Sequence, residues 1–340
     1  MSKPLSSAAR VAREINRVLK DNPAALGSPA VQNTLREIQA LDQDFEEKGG
    51  VFFHTGSDAF ATADKFTQIH IDQYRETGRP SLPALAVYHA QKMGFDKKSP
   101  EYKALILVAV RAEMKAAVTP DYHNQFHYLD VAAVTANLLQ VKTGAIALTK
   151  QEQALTFIAA IGHDLGHEGV GNPKDQPMLN EQISFELMAP LLQEAGLTGP
   201  DIDKIHTILM TTSPNGPHAI LKAVAQAQRN GSTPDFAAID PKNDFSALSD
   251  SRLTQMAAIV SDADLYASSG AGLKANAVMS ALLTKEGKGA IDFTTDNARK
   301  YFLDNIAGEG PASYAGHATI SESVEALRAE TNRRLAAPKP

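Results

Sequence analysis

The residue types best placed to do chemistry in this chain are histidines and carboxylates gathered in two short segments. Four of the ten histidines fall in Tyr122-His-Asn-Gln-Phe-His127-Tyr-Leu-Asp130 and His163-Asp164-Leu-Gly-His167-Glu168. In each segment two histidines stand four residues apart, a spacing that places both on one face if the segment is helical. The chain has no cysteine. Disulfides, thiolate ligands and a thiol nucleophile are therefore excluded, and a metal can be held only by imidazole and carboxylate. Two such clusters brought together would bind a divalent cation, and a bound cation activates water for hydrolysis.

The elements that must position these groups read as helices. His127 continues the stripe Val131, Val134 and Leu138, which puts it on the buried face of a helix running from Gln125 to Val141. His163 and His167 are expected to share a helical face with the small residues Thr156, Ala159 and Ala160, with Asp164 turning into the same crevice. Gly166, Gly169, Gly171 and Pro173 mark the end of that helix, leaving the site at a helix terminus open to solvent. A fourth ligand is supplied by the apolar run Leu253, Met256, Ala257 and Val260, which leads at helical spacing to Asp264. At about 100° per residue Asp264 lies about 20° from Leu253 and Asp262 about 180° away, so Asp264 is preferred. A carboxylate ending an apolar stripe is costly to bury unless it is paired or metal-bound.

Other helices are expected from Leu82 to Lys92, Tyr102 to Ala117 and Ser321 to Leu335, and one opening at Thr149 with a capping box to Glu152. Earlier in the chain, Val11, Ile15, Val18 and Leu19 form one helical stripe, and Val31, Leu35 and Ile38 form another behind Ser28-Pro29. Alternating strand patterns are scarce. The stretches from Asn230 to Ser251 and from Gly308 to Gly316 read as surface loops, of the kind that often border a functional site. The fold class is all-α, a compact multi-helix domain with the metal site between helices. An N-terminal helical segment, 1–95, is expected to pack on a catalytic domain, 96–340.

Composition narrows the function. The 43% hydrophobic content supports a substantial core, and 33 Lys+Arg against 39 Asp+Glu give a net charge of -6. That balance disfavours a polyanion-coating role such as non-specific DNA binding. The N-terminal Met1-Ser-Lys-Pro-Leu-Ser-Ser stretch lacks the apolar core of a signal peptide, and no segment reaches the roughly 20 apolar residues of a membrane span. A cytoplasmic location with no membrane partner is the default expectation. His54, His70, His89, His206, His218 and His317 are scattered singly and read as structural or solvent-exposed.

Tyr122-His-Asn-x-x-His-x-x-Asp-Val131 and His163-Asp-x-x-His-x-Gly-Val-x-Asn172 closely resemble the two signature segments of the class I cyclic nucleotide phosphodiesterases, within the broader His-Asp (HD) metal-dependent phosphohydrolases. Ala263-Asp264-Leu265 resembles the third metal-binding segment of that family, and the resemblance runs most clearly from Leu105 to Leu265. It implies that His127, His163, Asp164 and Asp264 bind a first metal, zinc or alternatively iron or manganese. Asp164 would bridge to a second, magnesium or manganese. It further implies a hydroxide nucleophile between the two metals and His123 as the general acid. His167 would sit beside the second metal and its waters, and Asn172 and Glu181 would support the ligands from behind. The chain departs from the family beyond the metal centre. Thr211-Thr212-Ser213 replaces a Thr-Asp-Met segment, Asn180-Glu181 only approximates the family's glutamate segment, and Phe302 keeps a base-binding phenylalanine while Arg299 stands where a glutamine is expected.

The leading expectation is hydrolysis of a small phosphoester, with a 3′,5′-cyclic nucleotide as first candidate. A broad-specificity phosphodiesterase or phosphotriesterase is the alternative, as is a non-catalytic metal- or nucleotide-binding module. A protease reading of His163-Asp-Leu-Gly-His167 would leave His123, His127 and Asp264 unexplained. A homodimer is one option for assembly.

Overall fold

The structure, a computed structural model, describes residues 82–116, 121–123, 125–143, 145–214, 216–239, 245–266 and 273–337. The two helical stripes expected before residue 82 lie outside these residues. The regular elements that are described are all helical: α1 (Leu82–Lys92), α2 (Pro100–Ala116), α3 (Gln125–Leu138), α4 (Lys150–Gly162), α5 (Leu179–Ala195), α6 (Gly199–Met210), α7 (Pro217–Arg229), α8 (Phe236–Ile239), α9 (Ser251–Leu265), α10 (Leu273–Glu286), α11 (Asp296–Tyr301), α12 (Tyr314–Thr319) and α13 (Ser321–Ala336). No strand occurs among the described residues. None of their helices is long and apolar enough to cross a membrane.

Two helices form the middle of the bundle because their sequences are apolar almost all round. In α4 every residue from Ala154 to Gly162 is buried, and in α9 every residue from Leu253 to Ala263 is buried. A helix without a polar face must be surrounded. α4 accordingly packs against α2, α3, α5, α6 and α9, and α9 packs against α3, α4, α6, α7 and α12. The start of α4 is set by the expected capping box: Thr149 Oγ1 accepts from the Glu152 amide at 3.2 Å, and the Thr149 amide donates to Glu152 Oε2 at 2.7 Å. α9 is capped by Asp250, whose carboxylate accepts from the amides of Arg252 and Leu253.

The end of α4 differs from the expectation. The helix stops at Gly162, with His163 as its C-cap, so His163 and His167 do not share a helical face. The chain turns instead, because Gly166 fits against α5 where no side chain can. A Cβ on Gly166 would lie 2.6 Å from the Asn180 carbonyl oxygen and 2.6 Å from the Ser184 amide nitrogen. The Gly166 amide also donates to Ser184 Oγ at 2.8 Å. Gly166→Ala is expected to cost about 1–3 kcal/mol by overpacking against backbone. Gly162→Ala, whose Cβ would mainly meet the flexible Met188 side chain, should cost less. Thermal unfolding of the two variants checks the order.

The two stretches read as loops are only partly so, and none of their described residues lines the pocket beside the His-Asp cluster. The first contains α8 and a 3-10 turn at Ser246–Ser249. The second runs into α12 and closes on Asp262, which is fully buried. Asp262 accepts from the Ala312 amide at 2.7 Å, the Ser313 amide at 2.8 Å and Ser313 Oγ at 2.6 Å. Burial lifts the Asp262 carboxyl to a pKa of about 6 despite these donors. Lys222 bonds the Ala307 carbonyl and Arg229 the Ala312 carbonyl, fixing the same segment.

Candidate metal centre and pocket

Helices α3, α4 and α9 bring His127, His163, Asp164 and Asp264 to one point. His127 Nε2 lies 3.2 Å from His163 Nε2, 3.0 Å from Asp164 Oδ2 and 3.1 Å from Asp264 Oδ1. His163 Nε2 lies 3.1 Å and 3.5 Å from the same two oxygens. His127 and His163 are 1% and 2% exposed. The His163 Nδ1–H donates to the Ala160 carbonyl at 2.8 Å, which fixes the tautomer and turns the Nε2 lone pair inward.

This arrangement fits a cation better than a hydrogen-bond network. Asp164 Oδ2 is buried and makes no hydrogen bond, although two imidazole nitrogens stand beside it. Donors held about 2.1 Å from one ion are about 3.0–3.4 Å from each other, the spacing seen. The electrostatics agree. Burial works against charge on His127, yet the adjoining Asp164 and Asp264 carboxylates hold its pKa at about 9. His163 is likewise raised well above its ordinary value against the effect of burial. Both carboxyls are driven low by the two imidazoles, although burial alone would raise them. The cluster demands positive charge, and His127, His163 and Asp264 can converge on a single ion.

His123 and His167 occupy positions that the four-residue spacing did not foretell. α3 begins at Gln125, so His123 precedes the helix and does not share a face with His127. Its ring stacks on that of His167, with centroids 3.5 Å apart and planes 24° from parallel. The closest ring contacts run across elements, His127 to His163 and His123 to His167, while the His123 and His127 rings still meet edge to face with centroids 5.6 Å apart. Burial pushes the His167 pKa down to about 4, and its Nδ1 accepts from the Gly169 amide at 3.0 Å.

Glu286, at the end of α10, is a site residue missed in the sequence reading. Its Oε1 lies 2.5 Å from His123 Nδ1, while Oε2 accepts from the amides of Tyr122 at 2.7 Å and His123 at 3.0 Å. Burial would raise its carboxyl, but these bonds and the His123 ring bring it below the ordinary value. His123, His167 and Glu286 also lie close enough to one another to share an ion.

Asn172 and Glu181 form the opposite wall. Asn172 Nδ2 donates to Glu181 Oε2 at 2.8 Å and the Pro177 carbonyl at 2.9 Å, and its Oδ1 accepts from the Asn180 amide at 2.8 Å. Burial raises Glu181 to a pKa of about 7, with Asn172 opposing the shift.

These groups open into a cavity of about 550 Å³ that runs from His123, Asp164 and Asp264 to Arg299 and Phe302. That volume suits a small organic ligand. Most of the far wall is apolar, contributed by Met279 and Leu283 of α10, by Phe293, and by Phe302 and Ile306 of the π-helical turn that follows α11. Three buried polar side chains interrupt it, Asn276, Ser280 and Arg299.

The described residues form an all-helical bundle in which a His-Asp cluster that could hold a metal faces a largely apolar pocket. The family model for 3'5'-cyclic nucleotide phosphodiesterase matches residues 122–180, which include both histidine-bearing segments. Among solved structures, LmjPDEB1 in complex with IBMX is similar with a TM-score of 0.55 at 17% identity, over 78% of this chain and 90% of that one. The phosphodiesterase domain of Salpingoeca rosetta rhodopsin phosphodiesterase is similar with a TM-score of 0.52 at 15% identity, over 86% of this chain and 94% of that one. No curated protein matches. The chain thus shares the fold of these phosphodiesterase domains, and residues 122–180 match the 3'5'-cyclic nucleotide phosphodiesterase family model.

Proposed function

We propose that this domain hydrolyses a phosphodiester, with a 3′,5′-cyclic nucleotide as substrate, using two divalent cations. The observation that carries the reading is the convergence of His127, His163, Asp164 and Asp264 beside a cavity large enough for a nucleotide. Two imidazoles with carboxylates suit zinc as the first ion, and magnesium or manganese suits an oxygen-rich second position reached from Asp164. When bound, the cations supply Lewis-acid polarisation of the phosphoryl oxygens and acidify a water so that it attacks near neutral pH.

The chain's own residues do the rest. His163 is held in its ligating tautomer by the Ala160 carbonyl. Asp164 and Asp264 supply the negative charge that keeps cations in a buried place. His123 is the proton donor to the departing oxygen. The Glu286 carboxylate accepts from Nδ1–H, orients the ring and leaves Nε2 to exchange the proton. His167, stacked on His123, limits its rotation. Asn172 and Glu181 hold the segment after His167 against α5.

Chelation is the first test. Removing metal from the purified protein should abolish hydrolysis of cyclic nucleotides and of an aryl phosphodiester, and adding zinc, manganese or magnesium should restore it. Affinity for the ion should fall as the pH drops, because protons compete for both imidazoles. Full activity at zero metal content would end the proposal.

A further inference from the structure

We infer that the pocket selects guanine over adenine, with Arg299, held by Asn276, as the specificity-determining residue; the inference rests on the phosphodiesterase reading above. Arg299 is 5% exposed and Asn276 3%, and both line the same cavity as the metal centre. The Arg299 Nε–H donates to Asn276 Oδ1 at 2.6 Å, and Nη1 pairs with the Asp296 carboxylate one helical turn back. Two contacts thus fix the guanidinium plane. An arginine has five N–H donors and no acceptor, so about three donors remain for a ligand.

Which ligand edge suits them follows from the surroundings. Asp296 already neutralises the guanidinium, so a further anionic group is not called for. Neutral acceptors in a plane are. Guanine presents N7 and O6 side by side, both acceptors, and this is the pair that arginine engages through two parallel bonds. Adenine presents N7 and an N6 amino group, setting donor against donor. A buried donor left unpaired loses binding, so adenine should be disfavoured about tenfold or more. Phe302, three residues beyond Arg299 and lining the same cavity, supplies an aromatic face for the purine.

Helix α10 ties this end of the cavity to the other. Asn276, Met279, Ser280 and Leu283 line the cavity at helical spacing, and Glu286 follows on the same face to hold His123. The base-reading pair and the proton donor therefore stand on one rigid element, about 15 Å apart along its axis.

The test compares kcat/KM for cyclic GMP and cyclic AMP in the metal-loaded full chain, in wild type, R299Q and R299K. The expected result is a preference for cyclic GMP of tenfold or more that collapses in both variants, since lysine keeps the charge but not the planar fork. The readout is a ratio, so a general loss of activity does not imitate it. Binding of 5′-GMP against 5′-AMP to the wild type gives the same answer should the variants fail to fold, with 5′-GMP bound more tightly. Equal turnover of both nucleotides, a preference for cyclic AMP, or a ratio unchanged in folded R299Q would overturn the inference. Cleavage of bis-p-nitrophenyl phosphate with neither cyclic nucleotide cleaved also overturns it while the phosphodiesterase reading stands. Failure on every diester overturns that reading and the inference together.

Discussion

Asp264→Ala is expected to lose the metal and to lower turnover by more than a thousandfold, with the helical fold intact. Asp264 Oδ1 is within 3.5 Å of both imidazole nitrogens. It is one of two carboxylates that balance a cation in this buried place. Removing a single preorganised donor from an active site costs about 10²–10³ in rate. Here the loss extends to the ion that the donor helps to hold, so the effect should be larger. Asp262→Ala is the informative contrast. Asp262 is two residues away and more deeply buried, but it clamps the Ala312-Ser313 backbone. Its loss should destabilise the protein while metal stoichiometry at permissive temperature is retained. Metal analysis beside thermal unfolding separates the two carboxylates. Retention of both metal and activity in Asp264→Ala would remove that residue from the site.

His123→Ala is expected to keep the metal and lose about 10²–10⁴ in kcat on a cyclic nucleotide, the usual contribution of a positioned general acid. His123 does not belong to the four-donor cluster. Its Nδ1 is committed to Glu286, and its ring is stacked on His167. The loss should depend on the leaving group. An alkoxide needs a proton as it departs, whereas p-nitrophenolate leaves without one, so the aryl diester should be affected far less. Glu286→Gln should fall between wild type and His123→Ala, because the amide can still touch the ring but is a weaker acceptor for its Nδ1–H. Equal losses on both substrates would mean that His123 has some other role.

Much of the architecture could be read from the sequence because local rules set it. Hydrophobic period marked α1 as it stands, and the capping box at Thr149 fixed the start of α4. Helical phase separated Asp264 from Asp262, and the structure places them on different sides of α9, one beside His127 and His163 and one against Ser313. The sequence reading ran out where geometry depends on contacts between distant residues. The four-residue spacing of the histidines suggested shared faces, but α3 starts after His123 and α4 stops before His167. The shorter α4 also removes the helix that a His-x-x-x-His protease site requires.

Glu286 reaches His123 across 163 residues of sequence, and no local pattern marks that pairing. A signal did exist on its own helix. Asn276 and Glu286 fall in phase with Met279 and Leu283, and polar groups set into an apolar stripe call for a partner. The segment from Gly308 to Gly316 looked like a solvated loop because it holds three glycines and a proline. Its backbone amides instead satisfy a buried carboxylate, which composition does not reveal.

The central claim is that the four-donor cluster is a metal centre for phosphodiester hydrolysis. The most direct measurement follows a 3′,5′-cyclic nucleotide by phosphorus NMR with the metal-reconstituted protein, in parallel with metal analysis of the same sample. The account predicts conversion of the diester to a phosphomonoester, abolished by chelation and by Asp264→Ala. No conversion of any phosphodiester by protein that demonstrably carries its metal would contradict it.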